Sequence, residues 1–319
     1  MQLDKKLRSI GKLWVCSGLF PGLLVSLTQC AAQPAITDVN SPPPKLEIPQ
    51  PAFTQQSWPD SPTPVARVSI VAIPFNYPVD IAASEELKTV SDFAADLDAL
   101  AVLNGGFFDP NNAQTTSFVT VNGSLVADPR HNRRLVNNPD LAVYMDQILN
   151  RSEFRRYACG GGIRYDITTH NASLPSGCEL HSALGAGPQL LPHDTSQAEG
   201  FTDYTNGTLS RDAIGTQQRN ARSAIGIKLD GTLVWVMVTQ EDAAGGMTLT
   251  ELAAFMTTLG VQKALNLDGG SSSSLHFGQP ATTDSDSGSV QHSTEQRPPQ
   301  QFGHQRPVKS VLYLQSPQL

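Results

Sequence analysis

Apolar and polar positions alternate along Val65-Ala66-Arg67-Val68-Ser69-Ile70-Val71-Ala72-Ile73, the two-residue period of a half-buried strand. The period then lengthens. Ser84 is placed to cap a helix, Glu85 and Glu86 suit its first turn, and Leu87, Val90, Phe93, Ala94 and Leu97 form one apolar stripe. Leu100-Ala101-Val102-Leu103 reads as a short buried strand that empties into Asn104-Gly105-Gly106-Phe107-Phe108-Asp109. Hairpins are predicted at Asn122-Gly123, between residues 118–121 and 125–126, and at Asp230-Gly231, between residues 224–227 and 233–236. The stretch between them, 129–220, reads as loop-rich. A second helix opens on Thr248 and Glu251, spaced as a capping box; it turns Leu249, Leu252, Phe255, Met256 and Leu259 inward and stops at Gly260. The strand Ala264-Leu265-Asn266-Leu267 follows and delivers Asp268-Gly269-Gly270, and residues 308–314 form a last strand. The pattern predicts an α+β fold with mixed, largely antiparallel sheets and few helices, one globular domain over 65–319.

Composition changes the picture mainly at the ends. Lys5, Lys6, Arg8 and Lys12 precede an apolar stretch at 13–27, the layout of an export leader. Ser17, Gly18, Pro21 and Gly22 interrupt that stretch, and a spanning helix needs about 20 apolar residues. Leu27-Thr28-Gln29-Cys30 fits a lipoprotein box and Cys30-Ala31-Ala32 fits ordinary cleavage, so residues 1–32 read as a signal peptide or lipoprotein leader with Cys30 as the lipidation candidate. The expected location is secreted or periplasmic, with membrane contact only through that lipid anchor. Nine prolines mark 33–64 as a linker. A net charge of −7 without a basic run excludes a nucleic-acid surface. Cys159 and Cys178 are the pair left after the leader, and in an oxidising compartment they are expected to form a disulfide. They lack the neighbouring ligands of a zinc site.

Asp268-Gly269-Gly270, followed by Ser271 and Ser272, is the strongest candidate site, because an apolar strand hands over abruptly to a carboxylate and to permissive backbone. Taken alone, such a triplet is commonly a tight turn. Asn104-Gly105-Gly106 repeats the transition and ends on a second carboxylate, Asp109. Arg222 heads the strand Ser223-Ala224-Ile225-Gly226-Ile227, and its planar fork suits phosphate oxygens. No Gly-x-Ser-x-Gly elbow or phosphate-binding Gly-Lys loop is present.

Five segments in order resemble the phosphodiester glycosidase family: Asn104-Gly105-Gly106-Phe107-Phe108, Gly187-Pro188, Arg222-Ser223-Ala224-Ile225-Gly226, residues 246–253 and Asn266-Leu267-Asp268-Gly269-Gly270-Ser271-Ser272. The resemblance spans roughly 65–314 and closes on Arg306-Pro307-Val308. Ala221, Ser223 and Ser271 stand where the family commonly has Pro, Thr and a third Gly. The resemblance implies a hydrolase that cleaves the sugar C1–phosphate bond of carbohydrate phosphodiesters, here in envelope or exopolysaccharide metabolism. It also places Gln240 and Glu241 in a loop near the site. Phosphate leaves well, so one carboxylate at the anomeric carbon suffices where ordinary glycosidases use two. On this reading Asp268 is nucleophile or base, Arg222 the phosphate clamp, Asp109 an assisting acid, and Asn104 and Asn266 hydrogen-bond sugar or phosphate. Gly105, Gly106, Gly269 and Gly270 would expose backbone donors, and Ser271, Ser272, Gly187 and Glu241 complete the substrate-binding set. No cofactor is required. Two alternatives use the same residues: a non-catalytic glycan-binding lipoprotein, and a metal-dependent phosphodiesterase that would need a divalent cation.

Overall fold

Antiparallel pairing organises the protein in this computed structural model, which describes residues 49–59, 63–75, 77–242, 244–278 and 299–316. The leader, Cys30 and the first part of the linker lie outside the described residues. A central sheet runs edge to edge as Ala52–Trp58, Ala66–Ile73, Leu233–Val238, Arg222–Lys228, Val261–Asn266 and Gln189–Leu191. A terminal sheet runs Gln300–Gly303, Ser274–Phe277, Ala99–Asn104, Val308–Gln315 and Val79–Lys88. A third, the disulfide sheet, runs Gly162–Thr169, Ser152–Cys159, Cys178–Gly185, Val119–Val121 and Ser124–Ala127.

The two-residue period sorts the inner strands onto two covered faces. Val71, Ile225, Trp235 and Met237 of the central sheet meet Leu103, Leu275 and Leu312 of the terminal sheet and Phe154, Ile167 and Leu184 of the disulfide sheet in one core. On the far face of the central sheet, Val68, Val234, Val236 and Ala264 receive Leu252, Phe255 and Met256 of the helix Leu249–Thr258. Val102, Val308 and Val311 of the terminal sheet likewise receive Val90, Phe93 and Ala94 of the helix Val90–Leu97. Cover on both sides explains why Leu233–Val238 is apolar at every position. Each such large side chain contributes about 1.5–3 kcal/mol through burial.

Both predicted hairpins form, at residues 122–123 and 230–231. The capping box of Thr248 and Glu251 is closed in both directions. The earlier helix, however, starts at Val90, with Thr89 as its cap and Asp92 completing the box. Ser84, Glu85 and Glu86 belong instead to the strand Val79–Lys88, which is laddered to Val308–Gln315. That distant ladder overrides the local cap signal. The linker expectation also fails at its end. Ala52–Trp58 pairs in register with residues 66–72, Phe53 stacks on Phe277 and Phe302 (5.1 and 5.0 Å), and Trp58 meets Phe255 edge-on at 5.4 Å. Pro51 and Pro59 bracket this edge strand rather than interrupt it.

The region 129–220 contains most of the disulfide sheet rather than mainly loop. Its polarity concealed this, because Glu153 and Arg155 are buried as an ion pair at 2.5 Å inside a strand. Cys159 and Cys178 stand opposite each other in register and form the disulfide, Cα atoms 4.2 Å apart. A bridge of this span contributes roughly 3 kcal/mol.

Candidate active site

The strand ends that carry the motif residues converge on Asn104. Its buried side chain donates through Nδ2 to the Asp268 carbonyl (2.7 Å) and accepts through Oδ1 from Ser223 Oγ (2.6 Å) and the Ser274 N–H (3.1 Å). The Asp268 N–H donates to the Gly105 carbonyl (3.0 Å), the Leu267 N–H to Ser223 (2.9 Å) and the Gly270 N–H to Ala221 (2.8 Å). Both glycine turns and the arginine strand are thereby stitched into one unit. Asn104 is fully buried, its side chain holds that unit together, and it is not among the residues lining the recess in front of it.

The four glycines also differ from expectation. Gly105 donates to Ser310 O (2.8 Å), Gly106 to Ser310 Oγ (3.1 Å), Gly269 to the Asp268 carboxylate and Gly270 to Ala221 O. Their N–H groups are therefore spent on the protein. What Gly105 and Gly106 provide is space, since a Cβ there would lie 2.7 Å from Ser310 O and 2.2 Å from Gly185 O. Gly187, at φ +110°, sits behind the site: its carbonyl accepts from Asn266 Nδ2 (2.9 Å), and a Cβ would collide with Glu199 Oε2 at 2.3 Å.

In front of this unit lies a recess of about 320 Å³. Asp268, Gly269, Gly270, Arg222, Asn220 and Asn266 line it, with Phe107, Ala213 and Ile214 on its apolar side. Asn266 Oδ1 is buried and has no hydrogen-bond partner among the described residues. Asp268 is mostly buried, with a minor part of its surface open to solvent, so burial pushes its carboxyl up to about 6 against the pull of Ser272, the Gly269 N–H and Arg306. Arg222 donates to the carbonyls of Met247, Ile214, Gly215 and Gln218, four of the five N–H groups of a guanidinium. Burial pulls its pKa down to about 10, opposed by Asp212. It remains a cation facing the recess, fixed by backbone.

Sequence reasoning met Arg306 only as the close of the family resemblance and gave it no role. Its Nη1 donates to Ser271 Oγ (2.8 Å), its guanidinium lies 5.4 Å from the centre of the Phe108 ring, and its charge acts on Asp268. Its contact with Ser271 was not legible locally, because it spans 35 residues. Asp109 and Glu241 do not line the recess. Asp109 accepts from Arg134 Nε (2.8 Å) and the Asn111 N–H (2.9 Å); burial raises its pKa, but those partners outweigh it and hold the carboxyl below its ordinary value. An ionised carboxylate bound this way has no proton to give as an assisting acid. Glu241 is exposed to solvent. Among the described residues no three His, Cys, Asp or Glu converge as metal ligands.

A raised carboxylate sharing a recess with Arg222 and acted on by Arg306, at the joined ends of antiparallel strands, is an arrangement suited to hydrolysis of an anionic substrate. The chain belongs to the phosphodiester glycosidase family, whose sequence profile matches residues 98–315, and it is a hydrolase of glycosyl phosphodiesters. No curated protein matches the sequence. Among solved structures it is similar to the catalytic domain of zebrafish N-acetylglucosamine-1-phosphodiester alpha-N-acetylglucosaminidase, auto-inhibited by its pro-peptide (TM-score 0.52, 17% identity, 84% of this chain and 83% of that one). It is also similar to a hypothetical protein from Synechocystis (0.52, 16%, 83% and 62%) and to a Burkholderia pseudomallei protein described as exported (0.51, 16%, 78% and 74%). At these identities the structures show the shared fold.

Proposed function

We propose that the protein is exported and cleaves the C1–phosphate bond of an envelope or exopolysaccharide phosphodiester, with the glycosyl group in the recess before Asp268. The observation that carries this is Asp268 itself, a carboxylate with a pKa of about 6 lining a recess with Arg222 and under the charge of Arg306. Water adds to C1, the C1–O bond breaks, and its electron pair stays on the departing phosphate monoester. That leaving group needs no proton, so the absence of a second carboxylate in the lining fits the chemistry. Asp268, ionised above pH 6, takes the proton from water or bonds C1 itself; an inverted anomeric product identifies the first route and a retained one the second. Arg306 supplies an accessible charge for the phosphate, and Arg222 adds a fixed one from below. Asn266 Oδ1 accepts from a sugar hydroxyl.

The disulfide supports an oxidising compartment, and the leader supports export with Cys30 as an anchor. Among the described residues no helix is long and apolar enough to cross a membrane. The test is release of free sugar from a glycosyl phosphodiester by purified protein, with Asp268→Asn as the control. Undiminished release by that folded variant would remove Asp268 from the mechanism.

A further inference from the structure

Behind the recess lies a carboxylate that the chemistry proposed above does not use. Glu199 is 3% exposed, and its two oxygens accept from four donors: the Ser152 N–H (3.0 Å) and Oγ (2.6 Å), the Gln189 N–H (3.2 Å) and Thr195 Oγ1. All four are neutral. Arg151 answers the charge through space; its Nε donates to the Glu199 carbonyl (3.0 Å), and its guanidinium lies 3.6 Å from the centre of the Phe201 ring. Burying a carboxylate without a contacting cation is costly, and hydrogen bonds to both of its oxygens offset that cost. A glutamine would not fit the same cradle, since its NH2 group would meet a donor at one of the two oxygen positions.

The segment 187–189 runs past that carboxylate. Gln189 is bonded to it directly, and Gly187 packs against it so closely that a Cβ would lie 2.3 Å from Glu199 Oε2. The same segment brackets Asn266. The Asn266 N–H donates to the Pro188 carbonyl (3.0 Å), its carbonyl accepts from the Gly187 N–H (2.9 Å), and its Nδ2 donates to the Gly187 carbonyl (2.9 Å). That last bond decides which end of the amide faces which way. A carbonyl pairs with the NH2 end, so Oδ1 is turned away from Gly187. It is buried and has no partner among the described residues, on a side chain that lines the recess. A half-turn of the amide would put a donor where this acceptor stands.

Building on the function proposed above, we propose that Glu199 is a positioning residue: it fixes the Gly187 carbonyl, and through it presents Asn266 Oδ1 as an acceptor to one hydroxyl of the glycosyl group. Glu199 is not among the residues that line the recess, so it acts from behind the wall. What it sets is a preference for sugars that carry a hydroxyl donor at the position Asn266 reads.

A glycosyl phosphodiester and its monodeoxy analogues, one for each ring hydroxyl of the glycosyl group, test this. The wild-type protein is expected to cleave one analogue about tenfold less well in kcat/KM than the parent, the loss of one neutral hydrogen bond. Glu199→Gln and Asn266→Ala should each lower kcat/KM for the parent about tenfold and erase that selective penalty, and the double variant should be no worse than either alone. Ser152→Ala removes one donor to Glu199 and leaves the carboxylate in place; it should shrink the penalty in part, and it decides the question if Glu199→Gln does not fold. A full penalty retained in folded Glu199→Gln, or in Ser152→Ala where it stands in, overturns the positioning role and leaves the proposed function standing. So do effects of Glu199→Gln and Asn266→Ala that multiply in the double variant. Equal cleavage of the parent and every analogue by the wild-type protein removes the hydroxyl contact, and the role of Glu199 with it. Failure to cleave the parent defeats the proposed function itself, and this role falls too.

Discussion

Two buried arginines are hydrogen-bonded in nearly the same way and carry opposite consequences. Arg155, in the disulfide sheet, donates to the carbonyls of Ala172, Thr169 and His170 and to the carboxylate of Glu153. Arg222, in the central sheet, donates to four carbonyls and to no carboxylate. Burial pulls both pKa values down. At Arg155, Glu153 and Tyr157 outweigh that pull and hold the group above its ordinary value, whereas Arg222 falls to about 10. One cation has a carboxylate in contact; the other touches only carbonyls, feels Asp212 through space, and lines the recess that Asp268 also lines. Buried charge marks a site when its partner is missing, and marks structure when the partner is present.

The largest expected effect is at the unpaired end. Asp268→Asn should lower kcat/KM by about 10²–10⁴-fold, measured as sugar release. The same change should stabilise the fold. A folded pKa of about 6 above an unfolded value near 3.9 means that ionisation favours the unfolded chain, so the cost is absent below about pH 4 and complete above about pH 6. Urea unfolding of Asp268→Asn should therefore show a gain of about 3 kcal/mol at pH 7.5 and none at pH 4; equal values at both would mean that the carboxyl is not perturbed.

At the paired end, Arg155→Met leaves the buried Glu153 carboxylate with His170 Nδ1 (3.0 Å) and no arginine, and should cost about 3–5 kcal/mol of stability, with turnover per folded molecule unchanged. A selective loss of activity would erase the distinction between the two arginines. Next, Arg306→Gln should reduce kcat/KM roughly tenfold to a hundredfold with little change in Tm, because its one hydrogen bond is to Ser271 at the surface. The smallest effect sharpens the account of Asp268. Activity should rise with pH through about 6, and Ser272→Ala, which removes a bond that lowers that pKa, should move this acid limb to higher pH. An unmoved limb in a folded variant would show that Ser272 does not reach the carboxylate.

These contrasts also show which features were legible in the sequence. The helix at Leu249–Thr258 was readable because its cap, box and stripe all lie within a dozen residues. The strand Val79–Lys88 was not, because its partner is the last strand of the chain and a cap-like Ser84-Glu85-Glu86 lay in the way. Charged residues inside Ser152–Cys159 hid a largely buried strand. At the site the motifs identified which residues meet, but not which of their atoms are already occupied. Asn104 and the four glycines are present where expected and are spent internally, while Arg306, met in the sequence only as the end of a motif, takes its place at the site through a fold that closes 35 residues into a hydrogen bond.

Asn104 also sets the order of events in the life of the chain. Its three side-chain bonds close loops of 119, 164 and 170 residues, so the pocket has no precursor within any contiguous fragment. Contacts of such separation form late and slowly, after most of the chain entropy has been lost. A polypeptide held unfolded for translocation is consequently catalytically silent. Hydrolysis begins only where folding finishes, so under the export proposed above the chain would not act on sugar phosphodiesters before leaving the compartment where it is made.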